Sequence, residues 1–140
     1  MKIVIRSYKA PDYEQLKALY LDGSNFGGQF DEARDAADRL QRKIEADPDA
    51  IIVAEQDGKL VGSVSLIDDG RVAWLFRFAV PQDRLDVVQA LHDKATALLK
   101  ERGHAEVLVY TPVGNQDLNS RYEQLGFTKG GDYACYWKGL

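Results

Sequence analysis

The chain has little with which to staple or metallate itself. Its single cysteine, Cys135, excludes a disulfide framework and a thiolate metal site; placed in the last alternating segment, it reads as a small packed hydrophobe. The two histidines, His92 and His104, have neither metal-ligand spacing nor a cysteine nearby, so they read as surface or helix-end residues and no metal is expected. No apolar run approaches the roughly 20 residues of a membrane span. Met1 to Arg6 is too short an apolar stretch for a secretory signal, which makes a cytoplasmic location the expectation, with no membrane partner. Basic residues are outnumbered, 18 Lys and Arg against 22 Asp and Glu, and the net charge of −4 argues against a nucleic-acid-binding surface. Internal repeats, low-complexity tracts and Pro- or Ser-rich linkers are missing. So are a Walker-type loop, a dinucleotide fingerprint and a nucleophile elbow.

What is there suits one ordinary globular domain, residues 1–140. The chain is 45% hydrophobic and 29% charged. At this length it can bury roughly two-thirds of its unfolded surface without cross-links.

The periodicities give an element order. Lys2 to Tyr8 alternates as a first strand. Pro11-Asp12 opens a helix, with Asp12 as N-cap, Gln15 closing a capping box, and Tyr13, Leu16, Leu19 and Tyr20 facing inward. Asp22 to Phe30 is an irregular glycine-aromatic loop. A second helix runs from Asp31 to Ala46, apolar through Ala33, Ala37, Leu40 and Ile44, and stops at Asp47-Pro48. Ala50 to Gln56 and Lys59 to Ile67 are strands joined by Asp57-Gly58, a type I′ hairpin signal. After the turn Asp68-Asp69-Gly70, Arg71 to Val80 is a near-continuous apolar strand covered on both faces. Trp74, Phe76 and Phe78 fall on one side of it, and Ala73, Leu75, Arg77 and Ala79 on the other. Gln82 to Arg102 is the longest helix, striped by Leu85, Val88, Leu91, Ala95, Leu98 and Leu99 and closed by Gly103. Glu106 to Tyr110 is a short strand, and Thr111 to Gly114 is a turn.

The stretch Asn115 to Phe127 then reads as a short helix. Asp117 is the expected N-cap, Leu118, Tyr122 and Leu125 share a face, and Gly126 turns the chain left-handed to stop it. Phe127 to Lys129 and Tyr133 to Lys138 pair as a last hairpin. The expected fold is α/β (α+β), a mixed, mostly antiparallel sheet of about seven strands with four helices on both faces.

Asn115, Tyr122, Glu123, Gly126 and Phe127 closely resemble the fourth conserved segment of the GNAT acyltransferases, the acyl-CoA-dependent N-acetyltransferase family, whose pattern there is Asn…Tyr-Glu-x-x-Gly-Phe. The element order β-α-α-β-β-β-α-β-α-β-β is also that of the family. The resemblance implies transfer of an acyl group from acetyl-CoA to a small-molecule or protein amine. Tyr122, a phenol that is protonated at neutral pH, would return a proton to the leaving thiolate. Asn115 would bond the pantetheine arm. The backbone at Phe78, Ala79 and Val80 would hold that arm, with Arg84, Leu85, Val87 and Val88 beside the pyrophosphate. Phe26, Gln29 and Phe30, with Trp74 and Phe76, would border the acceptor, and the acidic excess suits a cationic amine. For a general base the chain offers only Asp31, Glu32 or Glu55, unless the amine arrives already neutral. The oligomeric state left open is monomer or homodimer.

One segment departs from the family. Between the central strand and the long helix the family carries Arg/Gln-x-x-Gly-x-Gly/Ala, whose glycines let backbone N–H groups reach the pyrophosphate. From Val80 to Ala90 this chain has no glycine. Val87 and Val88 resist tight-turn backbone, and Asp83 and Asp86 add negative charge. A second reading therefore stands beside the first, a GNAT-fold binding or regulatory module without catalysis.

Overall fold

The computed structural model describes residues 2–26 and 29–140, with Phe26 described by its backbone alone. Gly27 and Gly28 of the expected glycine-aromatic loop lie outside the described residues. The chain divides into two compact units, Met1–Val109 and Tyr110–Leu140.

The first unit runs β1 (Val4–Ser7), α1 (Tyr13–Leu21), β2 (Asn25–Phe26), α2 (Ala37–Ala46), β3 (Ile51–Gln56), β4 (Lys59–Asp68), β5 (Ala73–Pro81) and α3 (Leu85–Glu101). Four antiparallel strands lie side by side as β1-β3-β4-β5, and the two-residue β2 adds to the far edge of β5. The hairpin between β3 and β4 turns at Asp57 and Gly58, whose φ angles of 54° and 76° are those of a type I′ turn.

One face of the sheet carries α1 and α2, through a core of Leu16, Tyr20, Leu40, Ile51, Val53 and Leu60. The other face carries α3, which packs Val87 and Leu91 over Gly62. Gly103, with φ 91°, ends α3 as expected, and its amide donates to the carbonyl of Lys100 at 3.0 Å.

The interior of β5 breaks the expected alternation. Ser65 of β4 pairs with Phe76 but Ser63 pairs with Ala79, so β5 spends one residue more than β4 over the same span. That extra residue is a β-bulge. Arg77 sits in it with φ 51°, a left-handed conformation uncommon for any side chain but glycine. Its guanidinium is 6% exposed and meets Asp35, 4% exposed, at 2.9 Å. Asp35 also accepts from the amide of Asp31 at 2.9 Å, so the pair ties the turn before α2 to the bulge. Beyond the bulge every side chain from Arg77 to Val80 is buried, and Phe78 no longer alternates in step with Trp74 and Phe76.

Several expected caps went elsewhere because stronger partners were in reach. Asp12 holds the N-cap position of α1 but makes no cap bond there: both its oxygens take Arg6, at 2.8 and 2.9 Å, and that hydrogen-bonded cation holds the carboxyl below its usual range. Gln15 closes no capping box; its Oε1 accepts from the amide of Leu60 at 2.8 Å, at the start of β4. The second helix begins at Ala37, not Asp31. Asp31 Oδ1 takes the amides of Ala33 and Arg34 at 3.0 and 2.8 Å, which stabilises turns over helix there. In α3 the inward residue of the first turn is Val87, while Leu85 is 52% exposed. His104 is a helix-end residue, as expected, just past Gly103, but it is not on the surface: its Nε2 lies 2.8 Å from Asp68 Oδ1, with the side chain 7% exposed. His92 is likewise largely covered.

The second unit holds α4 (Gln116–Gln124). The cap is Asn115 instead of Asp117: Asn115 Oδ1 accepts from the Leu118 amide at 3.0 Å. Asp117 stays in the exposed first turn, where a carboxylate suits the helix dipole. Gly126, with φ 94°, stops the helix as expected.

The count of about seven strands is not met. Residues 106–110 contribute one parallel bridge, Leu108 to Trp74, and residues 127–140 form neither helix nor strand. Alternation marks a segment able to form a strand, but a ladder also needs an edge to bond to. Residues 127–140 form no strand ladder, and Tyr136 is 94% exposed. Cys135 in the same segment is exposed, not packed. No helix among the described residues is long and apolar enough to cross a membrane.

Two stability predictions follow from this packing. A Cβ on Gly62 would stand 2.7 Å from Val87 Cγ1, 3.1 Å from Val80 Cγ2 and 3.2 Å from Leu91 Cδ1. Gly62→Ala is therefore expected to cost about 1–3 kcal/mol, seen as a lower urea midpoint, and Val87→Ala should restore part of it. Unchanged stability would contradict the close α3 packing. Asp35→Ala or Arg77→Ala is expected to cost about 3–5 kcal/mol, because each strands a buried charge. The double variant should lose less than the sum of the two, and strictly additive losses would show that the pair is uncoupled.

Candidate functional site

The outer edge of β5, away from β4, is where the first unit gathers most of the residues expected to bind. It is held at two points. Near its start, the Leu75 amide donates to the Leu108 carbonyl and the Leu108 amide to the Ala73 carbonyl, each at 3.0 Å. At its end, Phe26 and Asn25 of β2 face Val80 and Pro81. The bulge lies between. Phe78, Ala79 and Val80 are buried by their side chains, so only their backbone groups could meet a ligand.

Arg77 draws the acceptor-side residues together. Its Nη1 donates to Gln29 Oε1 at 3.4 Å, and its guanidinium carbon stands 4.9 Å from the centroid of the Phe76 ring and 5.8 Å from that of Tyr20. Gln29 and Phe76 thus meet around one cation. Phe30 is half-buried further along, with Lys17 Nζ 5.3 Å from its ring centroid. Trp74 sits at the Leu108 end of the strand. Arg77 and Asp35 were not singled out in the sequence. The available signal was a lone charge inside an otherwise apolar strand, since a buried cation needs a buried counter-ion.

At the start of α3, Arg84 is engaged on two sides. Its Nε and Nη2 each lie 3.1 Å from a carboxylate oxygen of Asp86, and Nη2 donates to Gln56 Oε1 at 2.8 Å. The Arg84 guanidinium holds the Asp86 carboxyl below its usual range, while the amides of Val87 and Val88 donate to the Arg84 carbonyl, each at 3.1 Å. The side chains of Val87 and Val88 are buried under the sheet. An anion here would compete with Asp86 for the same guanidinium. Backbone along the bulged edge fits a chain-like ligand arm, whereas a pyrophosphate would have to displace Asp86 from Arg84.

The acids considered as bases have other work. Asp31 caps the turn described above, and Glu55 pairs with Arg6 at 3.4 Å. Glu32 is exposed.

In the second unit, Tyr122 is 8% exposed and packs edge-on against Phe127, with ring centroids 5.4 Å apart and planes at 73°. Burial pushes its phenol up to about 12, so the proton stays on across the physiological range. Asn115 is exposed, and its side-chain oxygen caps α4.

Comparison with solved structures finds the same fold repeatedly. AAC(6′)-Iy, solved with the bisubstrate analog CoA-S-monomethyl-acetylneamine, superposes with a TM-score of 0.78 at 20% identity, covering all of both chains. The PaiA N-acetyltransferase of Thermoplasma acidophilum, solved with coenzyme A, gives 0.74 at 20% identity over 89% of this chain and 88% of that one. A longer Pyrococcus horikoshii protein gives 0.66 at 14% identity; 91% of this chain spans 44% of its length. No curated protein sequence matches. The model of the family described as Acetyltransferase (GNAT) family matches residues 13–127, a span that runs through the glycine-free segment from Val80 to Ala90. The departure there does not set the chain apart, and the chain belongs to the GNAT acetyltransferase family.

Proposed function

We propose that the chain transfers an acyl group from acyl-CoA, acetyl-CoA in the first instance, to a primary amine by direct attack. The amine nitrogen bonds to the thioester carbonyl carbon, the C–S bond breaks, and Tyr122 gives its proton to the leaving thiolate. The phenolate is then reprotonated as the new amide nitrogen sheds a proton through water. Residues 1–140 act in this as one domain, a reading supported by a family match that spans both compact units.

The observation that carries the proposal is Tyr122, buried, held by the capped helix α4, and carrying a phenol pushed up to about 12. Such a group is a proton donor and not a base at neutral pH. Family membership supports the CoA side, and two structural neighbours were solved with CoA or a CoA conjugate. On this reading the backbone from Phe78 to Val80 holds the pantetheine arm with Asn115. Arg84, at the head of α3, answers the pyrophosphate in exchange for Asp86. Phe26, Gln29, Phe30, Trp74 and Phe76 border the amine. Because Asp31 and Glu55 are committed elsewhere, the amine enters in its neutral form. The net charge of −4 favours a cationic pool from which that form is drawn. One observation favours the binding-module reading, namely that Asp86 already occupies the Arg84 guanidinium.

Thiol release from acetyl-CoA, followed over a panel of a polyamine, an aminoglycoside and a lysine peptide, tests the reading. At least one amine should accelerate release. With that amine, Tyr122→Phe should lower kcat by about 10²–10⁴ while the CoA dissociation constant holds. Turnover should rise with pH as the amine loses its proton, with no falling limb from Tyr122 below about pH 10, the ordinary phenol value. Unchanged turnover in Tyr122→Phe would remove the tyrosine from the mechanism. Silence across the panel with CoA bound would favour the binding module.

A further inference from the structure

Part of the backbone that the proposed function gives to the pantetheine arm, at Val80, already has an occupant. β2 pairs antiparallel with the end of β5, Phe26 opposite Val80 and Asn25 opposite Pro81, on the edge away from β4. One edge of a strand offers one set of N–H and C=O groups, and two partners cannot use it together. Pro81 has no N–H to give, so the pairing is lean at that position.

The hold on Asn25 is local. Asn25, which is buried, donates from Nδ2 to the Leu19 carbonyl at 3.1 Å and from its amide to the Asp22 carbonyl at 3.0 Å. Ser24 leans on Asp22 Oδ1 through its amide and hydroxyl, at 3.0 and 2.6 Å. Residues 21–24 are exposed, and a Cβ on Gly23 would meet nothing within 4 Å. Beside the pairing, Asp22, Ser24, Asn25, Pro81, Gln82 and Asp83 line a cavity of ≈ 420 Å³. A two-residue strand anchored to the end of one helix, with open space beside it, belongs to the low-stability end of a fold.

We propose that β2 is a displaceable strap: it covers the outer edge of β5 in the free protein and yields that edge to CoA. The proposal rests on the CoA reading above. It makes the competent state a fraction of the free population, and the apparent dissociation constant is raised by the inverse of that fraction. Loosening the strap then tightens binding without adding a contact.

Two measurements on the full chain with CoA as the probe decide it. Hydrogen exchange of the peptide carrying residues 24–26 should speed up about tenfold when CoA saturates the wild type. By calorimetry, Asn25→Ala, which loses the bond to Leu19, should bind CoA about 3–10-fold more tightly than wild type. The thermal midpoint of the variant is checked first; if it does not fold, the wild-type exchange result decides alone. CoA binding with unchanged or slower exchange, or with equal or weaker affinity in folded Asn25→Ala, overturns the strap and leaves the CoA reading standing. CoA binding to neither protein overturns both.

Discussion

A guanidinium inside the layer between a sheet and its helices has to be neutralised where it sits, and Arg77 is neutralised by Asp35 at 2.9 Å. Much of the candidate site depends on this contact. Arg77 occupies a left-handed position in a β-bulge, which costs backbone energy, and the pair offsets that cost by meeting a need both charges share. The bulge puts β5 out of step with β4, and the same cation gathers Gln29, Phe76 and the turn before α2. A strand that would otherwise be plain core thereby acquires an irregular outer edge with polar groups beside it.

The second unit solves a separate problem, which is to keep a phenol dry and protonated. α4 is only nine residues long, too short to stand alone, and it is closed at both ends: Asn115 caps its start and Gly126 ends it left-handed. Phe127 returns edge-on to Tyr122. Four of the five residues that resemble the family segment, all but Glu123, thus have a visible structural duty, and for Asn115 and Tyr122 it stands beside an implied chemical one. Asn115 shows this best, since its side-chain oxygen serves as the cap of α4.

Local rules were readable from the chain, and long-range ones were not. Asp57-Gly58, Gly103 and Gly126 behave as their sequence positions indicate, because a positive φ is a requirement of a few residues in a row. The stripe of α3 and the inner face of α1 are periodic and held up, apart from Leu85 giving way to Val87. The failures share a cause. Asp12, Gln15 and Asp117 all look like capping residues, but a carboxylate or amide bonds the best donor within reach. For Asp12 that donor was Arg6, and for Gln15 it was Leu60, 45 positions away. The bulge at Arg77 depends on counting two strands against each other, which one strand's alternation cannot show. The expected strands after residue 105 failed the same way, since alternation carries no information about a partner edge. On the site side, Gln29, Phe76 and the backbone of Phe78 to Val80 do gather along one edge of β5, while Asp35 went unread until its partner was known.

The central claim is that the bulged outer edge of β5 and the head of α3 bind an acyl-CoA. Thermal unfolding with and without acetyl-CoA tests it most directly, because a ligand that binds the folded state alone must stabilise it. At about 100 times the dissociation constant the expected gain is roughly 2.7 kcal/mol, a rise of several degrees in the midpoint that should saturate as the nucleotide is raised. A midpoint that does not move at millimolar acetyl-CoA would contradict the account, leaving a family fold whose cofactor groove is closed.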